Sequence, residues 1–154
     1  MRAAPKRLLL LACLGATIAA RPDRRIVDRV TIGDARSEQA HAYEGADVAT
    51  GTAGDRTFRE TRGWMRYALT VFDDTEVTIS CTFVGVDTPR MFELIVENRV
   101  VSVHKFHSTA TATIDMRVPL ELTKGKTNLL VTLRAVSGPT PALLEVRSVQ
   151  DHNE

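Results

Sequence analysis

An all-β chain, folded as two antiparallel sheets packed face to face in a jelly-roll sandwich, is what this sequence predicts. Three observations carry the reading. Apolar residues recur at every second position through most of the chain after Trp64. Short clusters of Gly, Pro, Asp, Asn and Lys separate those runs. No stretch asks for a long helix. With 154 residues, 44% hydrophobic and 25% charged, the chain has the length and balance of one domain with one core.

Residues 1–20 are set aside from the fold. Arg2, Lys6 and Arg7 precede a mostly apolar run from Leu8 to Ala20 that ends in the small residues Ala19 and Ala20, the pattern of a secretory signal peptide. The run is short of the roughly 20 apolar residues a membrane helix needs, so cleavage is expected rather than a retained span. The expected location is therefore secreted or periplasmic. Leu10-Leu11-Ala12-Cys13 resembles a bacterial lipoprotein box, which makes lipid anchoring at Cys13 a minor alternative. Removing the leader takes three basic residues, leaving 17 Lys and Arg against 19 Asp and Glu, a net charge of −2. Nothing in that balance suits a nucleic acid. Cys81 is then the only thiol, which excludes an internal disulfide and a multi-cysteine zinc site.

The polar, basic residues 21–25 read as a flexible lead-in, the sandwich as residues 26–149, and residues 150–154 as a tail. Ile26 to Ile32 makes the first strand. Met65, Tyr67, Leu69 and Val71 then share one face of a strand, and Trp64, Arg66, Ala68 and Thr70 share the other. Asp73 and Asp74 turn the chain into Val77, Ile79, Cys81 and Phe83, where Cys81 is a core residue. Phe92, Leu94 and Val96 lead through a turn at Glu97, Asn98 and Arg99 into Val100 to Phe106, a local hairpin. Ala112, Ile114, Met116 and Val118 alternate until Pro119 ends the strand. Lys124-Gly125-Lys126 turns into Leu129, Val131, Leu133 and Ala135. Gly138 to Pro141 is a loop before Leu144, Val146 and Ser148, for about eight strands in all.

The interval from Gly33 to Gly63 is polar, glycine-bearing and aperiodic. A connection of that length is expected to be functional and to hide short strands. It gathers Asp34, Ser37, Glu38 and His41 ahead of Trp64, the only tryptophan, and places Arg56, Arg59, Arg62 and Arg66 around that indole in sequence. Carboxylates and guanidiniums exchange charge-assisted hydrogen bonds with sugar hydroxyls, and an indole face packs on the C–H face of a pyranose. The expected ligand-binding set is Asp34, Glu38, His41, Arg59, Trp64 and Arg66. Asp34 and Ser37 are equally good turn and capping residues. His104 and His107 would point to opposite faces and are read as surface residues, not as a metal pair. Glu38, Glu60 and Asp87 are carboxylates of the kind a glycosidase uses, but no spacing pairs them, and no nucleophile elbow, phosphate loop or metal motif is present. The chain reads as no enzyme, with no catalytic residues, no cofactor and no metal ligands; no motif indicates whether a structural calcium sits at the sandwich edge.

Across residues 26–149 the chain resembles the C-terminal substrate-binding domain of glycoside hydrolase family 146 and of related family 127 β-L-arabinofuranosidases. The likeness rests on Val27-Asp28-Arg29-Val30 leading into Gly33-Asp34 and Ser37-Glu38 with His41, on Phe58-Arg59, Gly63-Trp64 and Tyr67, and on Gly125-Lys126 and Glu145-Val146-Arg147. It departs at Arg62-Gly63, Val84-Gly85-Val86 and Pro139 to Ala142, where those domains carry glycine pairs or a glycine-rich segment. The resemblance implies a carbohydrate-binding-module-like sandwich that accompanies a barrel-shaped catalytic domain and helps form its sugar site, while the cysteine-rich metal centre belongs to the barrel. The expected partner is an oligosaccharide or polysaccharide. The alternatives are docking on a separate glycosidase chain and a remnant of a truncated glycosidase gene.

Overall fold

The computed structural model describes residues 24–73 and 75–151. The expected signal peptide, Cys13, residues 21–23 of the lead-in, Asp74 of the turn and residues 152–154 of the tail lie outside the described residues. In chain order the elements are β1 (Arg24–Thr31), α1 (Ala35–Ala40), β2 (Glu44–Ala53), β3 (Arg56–Thr70), β4 (Val77–Phe83), β5 (Arg90–Val96), β6 (Arg99–Phe106), β7 (Ala112–Val118), α2 (Leu120–Thr123), β8 (Asn128–Ser137) and β9 (Leu143–Asp151).

Antiparallel pairing builds two layers. One runs β2-β3-β8-β5-β6 and the other β1-β9-β4-β7. They join where Arg59 of β3 bridges Leu143 of β9. This is the sandwich expected from the alternation. Met65, Tyr67 and Leu69 of β3, and Val77, Ile79, Cys81 and Phe83 of β4, are all at most 1% exposed. Phe83 of one layer packs on Phe92 and Phe106 of the other with tilted rings, at centroid distances of 5.2 and 5.3 Å. Each fully buried side chain of this size contributes about 1.5–3 kcal/mol.

Three boundaries differ from the sequence expectation. β1 begins at Arg24 and β9 continues to Asp151, because these ends pair with each other: Arg24 with Asp151 and Arg25 with Gln150. Gln150 is buried, its amide Nε2 donating to the Phe72 carbonyl at 2.9 Å and its Oε1 accepting from the Phe72 amide at 2.7 Å. β6 starts at Arg99, since Glu97 and Asn98 alone make the turn with φ of 51° and 63°, the left-handed pair a two-residue hairpin requires.

The third concerns the long interval, where the expected short strands are a hairpin of β2 with an N-terminal extension of β3 back to Arg56, preceded by α1. Among the described residues nine strands result instead of about eight. β2 is built from Gly, Ala and Thr with few large apolar residues, so its alternation is silent in the sequence. Gly54, at φ 63°, takes the first of its two turn residues.

Candidate functional site

The expected binding residues divide between two faces of β3. From Trp64 to Thr70 this strand pairs with β8 without irregularity, so side chains alternate strictly: Met65, Tyr67 and Leu69 enter the core while Trp64, Arg66 and Ala68 leave it.

On the inner side, α1 closes the open edge between the layers. Asp34 is its N-cap, Oδ1 accepting from the Ser37 amide at 2.7 Å. The Ser37 hydroxyl accepts from the Thr31 amide at 3.0 Å. Glu38 is 6% exposed and takes both prongs of Arg59, Nε to Oε1 at 2.6 Å and Nη2 to Oε2 at 2.8 Å, while the Gly33 amide donates to Oε1. The hydrogen bonds to Glu38 raise the pKa of Arg59 further. The Arg59 guanidinium lies 4.7 Å from the ring centre of Tyr43, which stacks on buried Tyr67 at 5.1 Å. Burial pushes both phenols up.

His41 completes this corner. Its Nδ1 lies 2.5 Å from the Ser37 carbonyl and its Nε2 3.0 Å from Asp28 Oδ1. Burial raises the Asp28 carboxyl, but hydrogen bonds from the Thr70 amide, His41 and the Arg29 amide outweigh it and hold the pKa below the ordinary value. The His41 carbonyl also accepts from the Ala68 amide at 2.7 Å. Asp34, Glu38, His41 and Arg59 thus pin α1 to β1 and β3. The expected convergence of these four groups on the indole is not met, because Arg59 and Tyr67 occupy the face of β3 that Trp64 leaves.

On the outer face, two rows of residues cross the larger sheet. Trp64 pairs with Ala46 on β2 and Arg134 on β8, and Arg134 with Glu93 on β5. Beside that row, Arg66 pairs with Glu44 and Thr132, and Thr132 with Ile95. Trp64, Arg66, Ile95, Asn98, Thr132 and Arg134 line a shallow groove of ≈ 220 Å³. The indole is half-buried, with the Arg66 guanidinium 5.1 Å from its ring centre. Glu44 holds Arg66 in an ion pair, and Glu93 Oε2 accepts from Arg134 Nε at 2.6 Å. Gly63 sits at the bulge before the tryptophan, where a Cβ would stand 2.8 Å from the Ala46 carbonyl oxygen.

Only Trp64 and Arg66 of this groove were expected. Arg134 and Thr132 alternate against Leu129, Val131 and Leu133, which marks their face, but their register with β3 is a property of pairing that no local pattern displays. The other sequence candidates stand elsewhere. Glu60 accepts from Arg90 at 2.5 Å, and Asp87 is exposed. His104, expected at the surface, instead stacks on buried Phe92 with centroids 5.5 Å apart, and burial holds its imidazole pKa down. Among the described residues no three His, Cys, Asp or Glu side chains gather as a metal cage.

A second groove of ≈ 340 Å³ lies on the outer face of the smaller sheet, lined by Arg24, Thr78, Asp115 and Arg117 among others. Asp115 binds Arg24 at 3.0 Å and the Ser80 hydroxyl at 2.7 Å; these bonds, the Ser80 one foremost, hold its carboxyl below the ordinary range. No aromatic side chain lines it, so the Trp64 groove is the better platform for a ring-shaped ligand.

The model of a family of unknown function, DUF6805, matches residues 22–149. Comparison with curated proteins gives no match. Among solved structures, the chain is similar to a family 35 carbohydrate binding module from an environmental isolate, at 16% identity and a TM-score of 0.57 over 76% of this chain and 96% of that one. It is similar to a family 35 module from Cellvibrio japonicus Abf62, at 14% identity and 0.55 over 85% and 99%. A family 35 module from Clostridium thermocellum gives 11% identity and 0.54 over 70% and 90%. At these identities the likeness establishes the sandwich fold.

Proposed function

The chain belongs to the DUF6805 family, and from that premise and the outer face of β3 we propose that it is a non-catalytic carbohydrate-binding module. The observation that carries this is the half-buried Trp64 indole set in a groove among Arg66, Asn98, Thr132 and Arg134. A pyranose ring packs its C–H face on such a platform while its hydroxyls meet the surrounding polar groups. The sandwich shared with modules named for carbohydrate binding supports the reading. Few groups converge and each exposed hydrogen bond gains only ~1 kcal/mol net, so affinity falls on the order of micromolar to millimolar.

The role is accessory. The carboxylates named as glycosidase candidates are spent apart from one another: Glu38 is clamped by Arg59, Glu60 pairs with Arg90, and Asp87 stands exposed. The motifs shared with domains of family 146 and family 127 glycosidases support a place beside a secreted glycosidase of that kind. Glycan-array screening and calorimetry of the parent and of Trp64→Ala test the proposal: binding by the parent that Trp64→Ala abolishes is the expected outcome, and no glycan bound by either overturns it.

One observation favours a second reading, docking on a separate glycosidase chain. Met91, Val100, Val103 and Val136 on β5, β6 and β8 are 37–53% exposed, an apolar surface beside the groove. Loss of co-purification with such an enzyme on Val103→Asp, with no glycan bound by the parent, would support docking instead.

A further inference from the structure

The groove beside Trp64 is rich in donors and poor in acceptors. Two guanidiniums, Arg66 and Arg134, face into it, and no acidic side chain is among its lining residues. Their counter-ions sit outside: Glu44 reaches Arg66 from β2, and Glu93 reaches Arg134 from β5. The carboxylates therefore hold the arginines in place from both flanks without entering the space between them. A guanidinium carries five N–H donors and no acceptor. Glu44 takes one Nη of Arg66, and Glu93 takes Nε and one Nη of Arg134. The Glu44 side chain is 58% exposed, so its ion pair contributes little and yields to a better-placed anion.

A neutral sugar hydroxyl both donates and accepts, and it gains most where carboxylates and amides alternate. A carboxylate or sulfate only accepts, and two converging guanidiniums are the strongest match for it. Resting on the carbohydrate-binding reading above, we infer that the Trp64 groove selects acidic sugars, with the ring on the indole and its anionic substituent between Arg66 and Arg134. Thr132 and Asn98 then serve the neighbouring hydroxyls.

The test is calorimetry of the parent chain with a trigalacturonate, its full methyl ester and a sulfated galacto-oligosaccharide of the same length. The ester keeps the ring and removes the charge. Binding of the trigalacturonate at least about tenfold tighter than its ester is expected. That preference shrinks severalfold as salt rises from about 20 to about 300 mM. Arg134→Gln, at a side chain 48% exposed and so without consequence for folding, brings acid and ester to near parity, while Arg134→Lys keeps part of the preference. A sulfated ligand that binds while the carboxylate does not assigns the anion to sulfate esters. Equal or tighter binding of the ester, abolished by Trp64→Ala, overturns the selectivity and leaves the carbohydrate reading standing. Absence of binding by all three, together with an empty glycan array, removes both.

Discussion

Arg59 and Trp64 belong to the same strand, yet their side chains serve opposite faces of it. Arg59 is clamped by buried Glu38 and lies over Tyr43, which stacks on core residue Tyr67. Trp64 points outward, into the groove it shares with Arg134. The polar corner around α1 is thereby a structural clasp, and the proposed binding surface lies across the sheet from it.

Breaking the clasp costs stability and leaves ligand affinity alone. Glu38→Ala strands Arg59, whose side chain is 20% exposed, so the loss falls near or somewhat below the ~3–5 kcal/mol typical of a fully buried pair. Urea denaturation checks this. Calorimetry on the same variant should return the parent's glycan affinity.

Trp64→Ala behaves the other way. The indole adds little to the core from the outer face, so the urea midpoint moves slightly, while removal of the stacking platform weakens glycan binding at least about tenfold. A variant that unfolds instead would show the indole to be a packing residue.

These contrasts show what was legible in the chain. Alternation at Met65 to Val71 and Val77 to Phe83 displays both the strands and their buried sides, because one face of each is fully apolar. β2 has no such signature, since Gly45, Ala46, Ala49, Gly51 and Ala53 bury little, and so the short strands expected in that interval carry no pattern that fixes their bounds or pairing. The site suffered from nearness in sequence. Asp34 to His41 and Arg59 precede Trp64 closely, but Arg59 turns inward to Glu38 and Tyr43 while Trp64, beyond the bulge at Gly63, turns outward. Arg134 and Thr132, far along the chain, are brought to the indole by the β3–β8 register.

Acid weakens the fold through Asp28 and Asp115. Both carboxyls have folded pKa values below their unfolded ones, so their stabilising contribution is fully present above about pH 4 and is lost as pH falls through the folded values. Urea midpoints measured on descending pH should fall in that window. Asp28→Asn, less stable at neutral pH, should show a shallower fall.

Cys81 is unreactive in the folded protein. It is fully buried and burial pushes its thiol pKa well up, so a thiol reagent should label it only as fast as the protein unfolds. Rapid labelling under native conditions would contradict the packing of β4.

Gly85 cannot take a side chain without movement of the backbone. A Cβ there would stand 2.4 Å from the Thr109 carbonyl oxygen. Gly85→Ala should lower stability by about 1–3 kcal/mol in thermal or urea unfolding.

Because Trp64 is the only tryptophan, its fluorescence reports on the proposed surface alone. Titration of the protein with a glycan that it binds by calorimetry should shift or quench that emission with the same saturation curve. Binding by calorimetry with the emission unchanged would place the ligand elsewhere and contradict the assignment of the β3 groove.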